Sequence, residues 1–152
     1  MLESLLVTIH VIGNLVWIGS IVSVGVLLSM SASAQNGRAV AEMAAKIYAR
    51  VANPAFAVSF LFGLARLLLA AKTYMHLHWF HGKLTVAIAA IALHHVIGAR
   101  VNRAAAASSD SEKNDAPRSM QSGKSSAILT AALLACASLA VVFVIFQSQL
   151  VP

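Results

Sequence analysis

Four long apolar runs, parted by polar stretches, set the elements this chain is expected to form. Residues 5–30 are apolar apart from His10, Asn14 and small hydroxyls, and 51–71 carry one charge, Arg66. Residues 79–100 open on Trp79, a side chain that favours membrane interfaces, and 127–146 hold no ionisable group except the Cys136 thiol. Each run supplies the roughly 20 residues a helix needs to cross a bilayer. The pattern predicts an all-α integral membrane protein, a four-helix transmembrane up-down bundle forming a single domain. Pro54 falls in the first turn of the second span, where a missing N–H costs little.

Two of the polar stretches have a character of their own. Within 31–50, Val40, Met43 and Ile47 recur at helical spacing among Arg38, Glu42, Lys46 and Arg50, which predicts a short amphipathic helix lying along the headgroups. Residues 102–126 are rich in Ala, Ser, Asp and Lys, include Pro117 and Gly123, and lack apolar periodicity; they are expected to be a flexible cytoplasmic loop.

Composition supports the membrane reading. The chain is 59% hydrophobic and 11% charged, with a mean hydropathy of +0.81, whereas soluble domains are about a quarter charged. A net charge of +6 could suggest nucleic acid, but the basic residues lie between the apolar runs and form no dense block. They report topology instead. Arg38, Lys46, Arg50, Arg100, Arg103, Lys113, Arg118 and Lys124 fall on one side, and only Lys72 on the other. The positive-inside rule then puts both termini outside, in a multi-pass protein of a bacterial-type inner (plasma) membrane. The first apolar run exceeds the 7–15 residues of a signal h-region, so it reads as a retained helix. Cys136 has no partner for an internal disulfide, and without a Cys-x-x-Cys-His motif any haem would be held non-covalently.

The candidate chemistry gathers around Trp79 to Gly98. Lys83 and His94 are eleven residues apart, so they share a helix face within about 20° and lie ~16 Å apart along the axis; His81 and His95 fall elsewhere. His10, Arg66 and Lys83 come from three helices yet lie at similar depths, roughly 6 to 8 Å inside the outer boundary at ~1.5 Å per residue. Ionisable groups at such depths are costly and usually functional. A tetrapyrrole would balance them, with imidazole on iron and Arg or Lys on propionates. The plainer alternatives are a His10 hydrogen bond to a carbonyl across helices, and Arg66 and Lys83 reaching back to headgroups. His76, His78 and His95 read as interfacial, and Trp17, on one stripe with His10 and Gly13, reads as packing.

Three short motifs carry a resemblance. They are His10-Val11-Ile12-Gly13 followed by Trp17, Asn53-Pro54 followed by Phe62-Gly63, and Trp79-Phe80-His81-Gly82-Lys83-Leu84 with His94 and Gly98. On these the chain resembles the HemJ-type protoporphyrinogen IX oxidase family, itself similar to the membrane domain of copper-resistance D proteins. Leu93 stands where that family often has tyrosine. The resemblance implies a haem b oxidoreductase of porphyrin biosynthesis, with His10 and Lys83 as the catalytic pair. It also implies His10 and His94 as candidate ligands of the haem iron; Lys83, with Arg66 at the same depth, would then contact carboxylates of cofactor or substrate. The partners expected are a porphyrin substrate, membrane lipid, a quinone acceptor and a second copy of the chain, but no nucleic acid. Copper handling through His76, His78 and His81, or a purely structural subunit, are the competing expectations.

Overall fold

The computed structural model describes residues 1–31, 36–110 and 121–146. Its elements are α1 (Leu2–Ser31), α2 (Gly37–Ile47), a π-helical turn (Tyr48–Ala52), α3 (Asn53–Leu69), α4 (Ala71–Tyr74), α5 (His78–Asp110) and α6 (Gln121–Ile145). Among the described residues the fold is entirely helical. Four stretches are long and apolar enough to cross a membrane: Leu2–Ser31, Gly37–Leu69, His78–Ala106 and Ala127–Ile145.

The second stretch differs from the sequence expectation. In place of a headgroup helix followed by a separate span, α2, the π turn and α3 run on without a break. The cause lies in which face α2 buries. Gly37, Ala41 and Ala44 are buried at steps of four and three, hence on one stripe, and α2 packs by this stripe against α1 and α5. Small side chains let helix backbones approach closely, while the larger Met43 stays exposed and Arg38 pairs with Glu42 at 2.9 Å.

Pro54 therefore sits inside a helix, where its ring would meet the carbonyl four residues back. The π turn answers that conflict: the Asn53 N–H bonds the Tyr48 carbonyl, five residues back, and the widened turn makes room ahead of the proline. It also turns Tyr48 into the core, 6% exposed.

The expected loop over 102–126 is also corrected. α5 continues to Asp110 and α6 starts at Gln121, and 111–120 lie outside the described residues. Apolar periodicity ends near Val101, but Ala104 to Ala107 have high intrinsic helix propensity, and that carries the helix onward.

Trp17, Ile21, Val24 and Leu28 of α1 form the spine of the core, meeting Ala44, Tyr48 and Ala52, then Ala90, Ile97 and Val101 of α5 and Leu133 of α6. Helix α1 packs against α2, α3 and α6, and α5 packs against α2 and α6. Helices α3 and α5, by contrast, make almost no close backbone approach, and the one buried residue of α3 is Ser59. The two helices meet through the side chains of Asn53 and Phe56 on His94 without close backbone approach.

Candidate functional site

Glu3, Arg66 and Lys83 mark one end of the molecule, and His10 lies just inside it. Glycines set its seat. A Cβ at Gly63 would stand 2.7 Å from His10 Cε1 and Nδ1, and a Cβ at Gly13 would stand 2.9 Å from the Ser59 nitrogen. Any larger residue would push α1 and α3 apart, so these two positions allow the ring of α1 to lie on the backbone of α3.

The hydrogen bonds define the state of the ring. His10 Nδ1 is 2.7 Å from the Ser59 carbonyl oxygen, which can only accept, so Nδ1 carries the proton. Nε2 then holds the lone pair, and the Asn14 side-chain amide donates to it at 3.1 Å. Ser59 Oγ donates in turn to Asn14 Oδ1 at 2.8 Å. An imidazole that gives one N–H to a carbonyl and turns its other nitrogen outward has the tautomer and support of most metal-bound histidines. Displacing one neutral amide would free the nitrogen.

Two cations lie toward the same end of the molecule. Lys83 is half-buried, within electrostatic range of His10, and makes no hydrogen bond or ion pair among the described residues. Arg66 gives Nη2 to Glu3 Oε2 at 3.1 Å and lies over the Tyr74 ring, 5.4 Å from its centroid. Its Nε and Nη1 are buried with no acceptor among the described residues. Each such donor costs about 1–3 kcal/mol, and more on a charged group. Positive charge is in excess here, because Glu3 is 68% exposed.

His94 is built differently. It is 1% exposed and enclosed from four sides. Trp17 Nε1 donates to His94 Nδ1 at 3.0 Å; indole can only donate, so the ring proton is on Nε2. That N–H faces Asn53 Oδ1 at 3.1 Å and Tyr48 Oη at 3.2 Å, and the Tyr48 hydroxyl donates to the His94 carbonyl. Phe56 stacks on the ring at 4.5 Å and Tyr48 at 5.1 Å. The Nδ1 lone pair accepts the Trp17 N–H and Nε2 carries the proton, so in this enclosed arrangement His94 has no open side for a ligand.

The remaining histidines lie outward. His81 bonds the Met75 carbonyl at 3.0 Å, and His76, His78 and His95 are exposed. Among the described residues no three His, Cys, Asp or Glu side chains converge as a metal-binding group, His76, His78 and His81 included.

Sequence reasoning missed the neighbours that fix both rings: Asn14, Ser59 and Gly63 at His10, and Tyr48, Asn53 and Phe56 at His94. One signal was present. Ser59, Gly63 and Arg66 are spaced by four and three, a small and polar stripe on α3 that points at α1. No family model, curated protein or solved structure matches the chain.

Proposed function

We propose that the chain is an up-down four-helix membrane protein and a haem b oxidoreductase that acts on a porphyrin substrate, as the HemJ-type resemblance implies. The meetings of Glu3 with Arg66, and of Gly25 with Thr130 and Gly82 with Phe143, support the alternating helix directions. The distribution of Lys and Arg supports outside termini.

The observation that carries the functional reading is the His10 layer. It combines a nitrogen lone pair covered only by an amide with, among the described residues, an unpaired ammonium and a guanidinium with two unmade donors. These residues fit a haem. His10 Nε2 would hold the iron, with Ser59 fixing the ring, while Arg66 and Lys83 would receive carboxylates. Bound haem would supply one-electron redox chemistry, passing electrons to a quinone-type acceptor. Lys83, freed of any ion pair, is the residue to move a proton between the substrate and the membrane surface. His94 has no part in binding on this reading.

An absorption spectrum of the detergent-purified protein tests it, oxidised and then dithionite-reduced. A Soret band with sharp reduced α and β bands, lost in His10→Ala, is the expected result. A colourless protein from haem-replete cells would overturn the reading.

A further inference from the structure

Beyond the π turn the space between α3 and α5 is open at the side. Phe60, Leu61, Leu64 and Leu68 of α3 are exposed, and α3 makes almost no close backbone approach to α5. At about 100° per residue, Leu84, Ile91 and His95 form one edge of α5, while Lys83 and Ala87 lie just inward, in line with His94. The floor of this opening is aromatic: Phe56 stacks on His94 at 4.5 Å, meets His95 edge-on at 5.8 Å and touches Phe60 at 5.9 Å. At the far end Tyr74 stacks on Phe80 at 5.2 Å and meets Trp79 at 6.1 Å. The gap between α3 and α5 thus has apolar edges and lies toward the end that carries Lys83 and Arg66.

We infer that the side opening between α3 and α5 is the way in for a membrane-dissolved amphiphile carrying a carboxylate, which Arg66 receives. The inference rests on the proposed function above, where Arg66 receives a carboxylate, and adds the route by which that carboxylate arrives. Apolar edges suit a ligand arriving from lipid rather than from water. A carboxylate suits the receptor because one is already there: Glu3 sits on Nη2 at 3.1 Å, while the buried Nε and Nη1 lack acceptors among the described residues. The ligand's carboxylate would take these donors as the Tyr74 ring swings aside, and charge-assisted bonds of this kind are the strong ones. Lys83, facing the same space, gives a second positive contact.

The test is a fluorescence titration of the full chain in lipid nanodiscs with protoporphyrin IX, a flat dicarboxylic acid, and with its dimethyl ester. The free acid is expected to bind saturably and the ester about tenfold more weakly, a change of the size one charge-assisted contact gives. Arg66→Gln is expected to lower acid binding about tenfold and leave the ester unchanged, with Arg66→Lys recovering part of the loss. Ala87→Trp, which narrows the opening, is expected to slow association of the acid. Equal binding of acid and ester, or no saturable binding of either, overturns the inference. Loss of acid binding when anionic phospholipid replaces neutral lipid also overturns it, by making a headgroup phosphate the occupant. A protein whose haem bands vanish in His10→Ala, yet which binds acid and ester alike, keeps the proposed function and loses this route.

Discussion

The two histidines facing the interior stand in opposite conditions. Around His94 every polar atom has a partner, three elements supply the contacts, and the ring is stacked on two aromatic faces. Around His10 there is one closed set of hydrogen bonds, and toward the same end Arg66, though paired with Glu3, keeps two buried donors without acceptors among the described residues. A satisfied polar cluster rigidifies a fold and specifies it. An unsatisfied one is tolerated where something else completes it, and such sites tend to be functional. The difference teaches that burial and hydrogen bonding alone do not mark a site: the more buried histidine is the one whose polar atoms are already satisfied.

The largest effect expected on stability is at His94. His94→Ala removes a packed ring and strands the Trp17 N–H and the Asn53 amide, so a loss of about 3–5 kcal/mol is expected in detergent unfolding titrations. A loss below about 1 kcal/mol would show that the cluster does not hold the helices together. Gly98→Ala follows, since its Cβ would run into the Tyr48 ring; overpacking of this kind costs about 1–3 kcal/mol, and an unchanged melting curve would contradict the packing described here. Tyr48→Phe keeps the stacking and removes one hydroxyl, for an expected loss of about 1 kcal/mol by the same titration.

At the His10 layer the signs change. Arg66→Met removes a guanidinium with unmade bonds, so stability is expected to hold within about 1 kcal/mol or to rise, while porphyrin binding falls. A drop of about 3 kcal/mol would mean that the charge is satisfied in a way the geometry does not reveal. The smallest effect belongs to Glu3→Gln: an exposed pair contributes about 0–1 kcal/mol, and the melting temperature should barely move between low and high salt.

Much of the layer at His10 was legible in the sequence, and little of the cluster at His94 was. Depth arithmetic on three apolar runs grouped His10, Arg66 and Lys83, because each helix rises by a constant amount per residue. Helix periodicity also placed Lys83 and His94 on one face of α5. It could not say what meets that face. The contacts of Tyr48, Asn53 and Phe56 depend on the π turn, where one extra residue rotates α2 against α3, and a regular 3.6-residue reading carries no such term of rotation. Pro54 was the visible clue, but it reads equally well as the start of a helix. The extension of α5 past Arg100 was missed because alanine propensity leaves no apolar pattern to detect.

The most direct test pairs two substitutions in one experiment, His10→Gln and His94→Gln, each purified and measured for thermal stability and for reduced haem bands. His10→Gln is expected to lose the bands and keep most of its stability, whereas His94→Gln melts much earlier and, while still folded, retains them. Bands that survive in His10→Gln and vanish from a stably folded His94→Gln would contradict the assignment of function to one ring and structure to the other.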